Sequence, residues 1–224
     1  MYNPGIFTGI FYLKRYTMKK LRIIYACSIA LFCIACSGNA GKTEKKVMIM
    51  ASGKITVTDK TVEVDPSLTH NEQQVVFTDE KVALVVKSTA GSSKTFDLAE
   101  NGVYLLNLQT DTLIGGLVNY GSIGMPGSIS AEEMDHIIDS TQKLMLGQNT
   151  NDARGPYFIP PFQLKKISTK SNTKVVGSFK GIPYKNEPDS DGNLPDVIKF
   201  FSVKQKRETL KDLMEQRAKI KQNH

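Results

Sequence analysis

The chain has 224 residues, of which 40% are hydrophobic and 23% are charged, a composition that fits one ordinary folded domain and excludes an intrinsically disordered protein. The formal net charge of +7 suggests a nucleic-acid partner, but five basic residues and no acidic residue precede Cys36: Lys14, Arg15, Lys19, Lys20 and Arg22. The remaining 24 basic residues are balanced by 22 acidic residues, which argues against nucleic-acid binding.

The first predicted element is a signal peptide. Residues 18–22 supply positive charge, and residues 23–32 form an apolar run that is shorter than the roughly 20 residues needed to span a bilayer. The run ends in Cys33-Ile34-Ala35-Cys36, which resembles the lipobox of bacterial lipoproteins, although Cys33 stands where Leu is usual. Residues 1–17 do not look like the start of a leader, so we expect translation to begin at Met18.

The resemblance to lipoproteins implies that residues 1–35 are removed on export and that fatty acyl chains on Cys36 hold the protein at a membrane. Cys27 and Cys33 would leave with the leader, so the mature chain would keep no thiol for a disulfide, a metal or catalysis. Residues 36–46 are small and polar and predict a flexible tether. In some bacterial lipoproteins, an Asp directly after the acylated cysteine resembles a signal for retention in the inner membrane. This chain has Ser37 at that position, which favours the outer membrane of a bacterial cell envelope.

Residues 47–203 predict a β-rich domain. Alternating and β-branched runs indicate strands near residues 54–58, 61–64, 75–77, 82–86, 103–108, 113–118, 163–168, 174–179 and 197–203. Asp59, Asp79 and Asp111 each lie between two such runs, and Asp favours turns, so the pattern predicts three hairpins.

Two helices complete the predicted fold. Ser130 and Glu133 form a capping-box pattern ahead of an amphipathic stretch, which predicts a helix over residues 131–146 that Gly147 ends. Residues 204–224 predict a C-terminal amphipathic helix. The predicted class is α+β, with a mainly antiparallel sheet, either a sandwich or a partly open barrel, one inserted helix and one C-terminal helix.

Two clusters are candidate sites. Tyr157, Phe158 and Phe162 lie among prolines and predict an apolar lip for a ligand or an envelope protein partner. The second cluster is the acidic run of residues 189–196. It holds carboxylate and amide oxygens of the kind that bind calcium, although its spacing does not match an EF-hand. Its candidate ligands are Asp189, Asp191, Asn193 and Asp196.

The sequence favours a non-enzymatic binding or structural module, because no nucleophile, base and orienting group can be assembled from it. It indicates no cofactor. Two alternatives stay open: a carrier that holds an apolar or acyl-chain ligand in a half-open barrel, and a hydrolase that uses two carboxylates.

Overall fold

The computed structural model of the chain describes residues 44–87, 91–120, 130–151 and 155–222. The leader and Cys36 lie outside these ranges. In chain order the described elements are β1 (Lys45–Thr58), β2 (Thr61–Phe77), β3 (Val82–Lys87), β4 (Ser93–Leu98), β5 (Gly102–Leu108), β6 (Leu113–Leu117), α1 (Ala131–Met145), β7 (Tyr157–Ile159), β8 (Gln163–Ser168), β9 (Lys174–Val176), β10 (Val197–Ser202) and α2 (Val203–Gln222).

The strands form two sheets. The larger, here the barrel sheet, has the order β4-β3-β2-β1-β5-β8 and curls into a nearly closed barrel, whereas the small sheet has the order β7-β6-β10-β9. Most pairings are antiparallel, but β1 with β5, β2 with β3 and β9 with β10 are parallel. The predicted α+β class, with mainly antiparallel strands and two helices, is confirmed.

The barrel closes because the β1–β2 hairpin bends in its middle. The register shifts between Ser52 and Gly53, where three extra residues of β2 bulge out. Gly53 has a φ of +133°, and a Cβ there would lie 2.0 Å from the carbonyl oxygen of Asp65. The hairpin tip therefore folds back towards the hairpin base, where Lys60 Nζ lies 2.7 Å from Asp79 Oδ2.

The first core fills the inside of the barrel. Alternate residues of β1 to β5 point inward, as the two-residue period of strands requires. Side chains from both halves of the hairpin meet there, since Val47 and Ile49 share a cluster with Val62 and Leu84, all with no accessible surface. A cavity large enough for a water molecule would give the side chains around it some accessible surface. Because these four side chains have none, no such cavity lies between them.

The second core lies between the barrel sheet and the small sheet. Met50 and Leu105 on the outer face of β1 and β5 pack with Leu113 and Phe200 of the small sheet. All seven residues of β5 are buried. The paired parts of β1 and β5 are thus covered on both faces, which explains the apolar run over residues 47–51 of β1 and the mostly apolar sequence of β5.

The helices cover the far side of the small sheet. Helix α1 starts at the predicted capping box of Ser130 and Glu133 and ends before Gly147, whose φ of +73° fits a helix-ending glycine. Helix α2 packs against α1, and Arg217 of α2 pairs with Asp135 of α1 through two nitrogens.

Two of the three predicted hairpins are wrong. Asp59 does turn β1 into its antiparallel partner β2. Asp79, however, lies between the parallel strands β2 and β3, and Asp111 lies where the chain leaves the barrel sheet for the small sheet. Local turn residues indicate where a strand ends but not which strand it pairs with.

The predicted tether also ends earlier than expected, because β1 begins at Lys45. The Lys45 side chain is only 1% exposed. Its ammonium group donates hydrogen bonds of 2.9 Å to the carbonyl oxygens of Asp79 and Glu80, so it joins β1 to the connection between β2 and β3. Across the described ranges, neither helix is long and apolar enough to cross a membrane.

Gly53→Ala should lower the free energy of unfolding by about 3 kcal/mol, because the new methyl group would meet the Asp65 carbonyl in a backbone conformation that favours glycine. Urea unfolding followed by circular dichroism measures this. Gly181→Ala is the matched control, since a Cβ at Gly181 meets nothing within 4 Å. Equal stability of the two variants would contradict the role of the bend.

Candidate functional site

The predicted aromatic lip is not assembled. Tyr157 is 3% exposed in the second core, where its hydroxyl donates a 2.7 Å hydrogen bond to the carbonyl of Ile167. Phe158 points the other way and packs beside Gly147, as alternation along β7 requires. Phe162 is 52% exposed, and its carbonyl accepts a hydrogen bond from Lys94. This segment contains strand β7, which places Tyr157 and Phe158 on opposite faces and ends before Phe162.

The acidic loop does not gather its predicted calcium ligands. Asp189 accepts hydrogen bonds from the backbone of Asp191 and Asn193, and the Asn193 bond is the main reason that the pKa of Asp189 lies below its usual value. Asp196 pairs with Lys170 at 2.8 Å. Among the described residues, no group of three or more His, Cys, Asp or Glu side chains is placed to hold a metal ion. The carboxylates close the loop and anchor a lysine instead.

A groove of about 920 Å³ runs along the edge strand β8. Its two carboxylates are Glu100 and Asp196. Glu100 pairs with Lys166, whose hydrogen bond lowers the Glu100 pKa, and Asp196 pairs with Lys170. Each acidic group already has a cationic partner, so the groove does not present the acid and base pair that a glycosidase needs.

A smaller pocket of about 350 Å³ lies between the outer face of the small sheet and the helices. We call it the ammonium pocket, because two lysines reach it among otherwise mostly apolar side chains. Its lining includes Gly116, Leu144, Ile182, Lys199, Phe201 and Lys206. Ligand pockets commonly have volumes of about 300–1,000 Å³ and mix an apolar lining with a few polar groups, which this pocket does.

Strand β10 places Lys199 and Phe201 on the same face, two residues apart. Opposite Lys199 in the neighbouring strand β6 stands Gly116. A Cβ at Gly116 would meet nothing within 4 Å, so the missing side chain leaves the floor of the pocket open. The ammonium of Lys199 donates hydrogen bonds to the carbonyls of Gly177 and Lys180, which curl around it.

The start of helix α2 places Lys206. The Ser202 hydroxyl accepts a hydrogen bond from the Gln205 amide, and the Gln205 side chain accepts one from the Ser202 amide, both at 3.1 Å. This capping box starts the helix directly after β10. Lys206, one turn into the helix, therefore returns over Phe201, with its nitrogen 4.1 Å from the ring centroid.

Both lysines are partly removed from water. Burial lowers the pKa of Lys206 below its ordinary value, and it also lowers the pKa of Lys199. The carboxylate of Glu72 acts on Lys199 in the opposite direction, whereas the Lys206 charge adds to the effect of burial. The Glu72 carboxylate lies against Gly177, and its Oε2 is 3.4 Å from Lys180 Nζ. The pocket is therefore a place where positive charge is costly and a bound anion would be stabilised.

Sequence reasoning did not find this pocket, although two signals were present. Ser202-Val203-Lys204-Gln205 has the capping-box spacing and fixes where α2 begins. Lys199 interrupts an otherwise apolar strand, Val197–Ser202, and a lysine at such a position needs either partners or a function. Neither signal shows that the two lysines meet over one ring, because that depends on how the small sheet and α2 pack.

Comparison of the chain with protein-family models, with curated proteins and with solved structures finds no match.

Ser202→Ala should lower the free energy of unfolding by about 1 kcal/mol, because it removes one half of the capping box. Ser140→Ala is the control: Ser140 is exposed in the middle of α1, and its hydroxyl bonds only within its own helix, to the carbonyl of Ile137. Thermal and urea unfolding of both variants measures the difference. A loss of stability in Ser140→Ala alone would contradict this assignment.

Proposed function

We propose that this chain is a lipid-anchored protein of the bacterial cell envelope whose β-rich domain binds a ligand in the ammonium pocket. The observation that carries the proposal is the pocket itself: a concave, largely apolar site with an open glycine floor and two lysines. Among the described residues that line it, lysine is the only titratable type. Such a lining supports binding rather than acid and base catalysis.

The alternative function, a carrier of an apolar ligand, was predicted to hold that ligand inside the barrel. The ammonium pocket is the better place for such a ligand. The inside of the barrel is occupied by packed side chains such as Leu84 and Leu106, which have no accessible surface. The ammonium pocket instead offers apolar walls that reach the surface, since Ile182 is 39% exposed. An apolar ligand therefore has a route to the ammonium pocket that the packed barrel core does not provide.

The membrane anchor is supported by the order of charge, apolar run and small residue before Cys36. Two acyl chains on one residue suffice for stable attachment, because each buried methylene contributes about 0.8 kcal/mol. Only residues 37–43 separate the acylated cysteine from the first described residue. The proposal therefore holds the binding domain close to a membrane surface.

Cys36→Ala should abolish labelling of the protein by an alkyne-tagged fatty acid in the native host, whereas the wild-type chain should be labelled and should begin at Cys36 by mass spectrometry. Cys27→Ala is the matched control, because it also removes a leader cysteine but leaves the lipobox intact. Persistent labelling of Cys36→Ala, or a wild-type N-terminus upstream of Cys36, would contradict the anchor.

Gly116→Val should weaken the binding of N-phenylnaphthylamine, an uncharged apolar fluorophore, by at least tenfold, because its methyl groups would occupy the pocket floor. The same change should not lower stability, since the added side chain has open space and strand glycines are unfavourable. Ser93→Val adds bulk at an exposed position of the edge strand β4, in the barrel sheet, and should bind like wild type. Absence of saturable binding to the wild-type domain, or equal binding by Gly116→Val, would refute ligand binding in this pocket.

A further inference from the structure

The ammonium pocket concentrates positive charge on one aromatic ring. The nitrogens of Lys206 and Lys199 lie 4.1 Å and 5.0 Å from the centroid of Phe201. Ring faces attract cations, so Phe201 partly compensates both charges. It does not neutralise them, and the two ammonium groups also repel each other. A group that carries negative charge would relieve both effects.

The described part of the chain supplies no such group to Lys206. Its residues give Lys206 no hydrogen bond and no ion pair, and the only described attraction on its ammonium group is to the Phe201 ring. The ammonium group of Lys199 has three N–H donors and donates two hydrogen bonds, to the neutral carbonyl groups of Gly177 and Lys180. The one carboxylate that acts on Lys199 belongs to Glu72, which is already paired with Lys180.

The rest of the pocket suits a hydrocarbon. Ile114, Leu144, Pro156 and Ile182 form walls from β6, α1 and the loops, and Gly116 leaves space between them. A volume of about 350 Å³ lies near the lower end of the range for ligand sites, so the occupant is small.

We infer that the ammonium pocket binds a single-tailed organic anion, with its carboxylate or phosphate head between Lys199 and Lys206 and its apolar tail against the Gly116 floor. This inference rests on the proposed function, because it names the chemical class of the ligand for the same pocket. Lys206 is the principal anchor, and Lys199 contributes its third donor. Charge-assisted hydrogen bonds of this kind are about twice as strong as neutral ones.

The test is competition against N-phenylnaphthylamine by four compounds: octyl phosphate, octanoate, octanol and inorganic phosphate. The wild-type domain should bind octyl phosphate or octanoate at least tenfold more tightly than octanol, a factor that corresponds to about 1.4 kcal/mol. Inorganic phosphate, which has no tail, should displace the fluorophore far more weakly than octyl phosphate. The order of the two anions identifies the preferred head group.

Lys206→Met should remove the preference, bringing the two anions to within about twofold of octanol while octanol affinity stays unchanged. Lys206→Arg keeps the positive charge and should keep the preference. Lys211→Met is the matched control, because it removes an exposed lysine from the same helix. Fluorophore binding, measured first, shows that each variant is folded.

The outcomes separate the two proposals. If octanol binds the wild type as tightly as the anions, or if Lys206→Met changes nothing, the anion inference is overturned while ligand binding in the pocket stands. Inorganic phosphate that competes as well as octyl phosphate would also overturn it, because the tail would then play no part. If the fluorophore itself does not bind the wild type, the proposed function fails.

The pH dependence gives a second readout. Among the described residues, the charged groups that act on the two ammonium groups are each other and Glu72, which acts on Lys199. Because burial lowers the pKa of Lys206, its ammonium loses its proton at a lower pH than exposed lysines do. The preference for octyl phosphate over octanol should therefore decline with rising pH before exposed lysines titrate, and Lys206→Arg should retain it at higher pH. An identical decline in both proteins would contradict the assignment to Lys206.

Discussion

The structure depends on one backbone constraint, the bend of the β1–β2 hairpin at Gly53. In a straight hairpin of this length, the inner apolar residues of the two halves, such as Ile49 and Val62, would not meet. The bulge lets the tip half fold over the base half, so that the inner face becomes the first core. The outer face of β1 and β5 then remains for the small sheet, whose outer face in turn forms the floor of the ammonium pocket.

Much of the secondary structure was accessible from the sequence, because it rests on local physics. The capping box at Ser130, the glycine at 147 and the alternation of apolar residues act over a few positions, and the structure has α1 where they predict it. Strand pairing was less accessible. The turns at Asp79 and Asp111 resemble hairpin turns, but contacts between distant segments decide which strands pair. Asp79 connects two parallel strands, and Asp111 connects one sheet to the other.

The candidate site was not accessible for the same reason. Gly116, Lys199 and Lys206 belong to three elements that are far apart in sequence or differ in type, and each has an ordinary explanation alone. The aromatic and acidic clusters that were conspicuous in sequence have structural roles: Tyr157 packs in the second core, and Asp189 closes its own loop. The position of Lys206 over Phe201, by contrast, has no explanation in packing alone, since partly burying a cation that has no counter-ion among the described residues lowers stability.

The central claim is that a small organic anion binds between the small sheet and the helices. Methyl-resolved NMR of leucine- and isoleucine-labelled protein, titrated with octyl phosphate, tests it most directly. The account predicts that the largest shift changes occur at Leu144 and Ile182, which line the ammonium pocket, with little change in the barrel core at Leu84. Changes centred instead on Leu164 and Ile167, in the groove along β8, would contradict it.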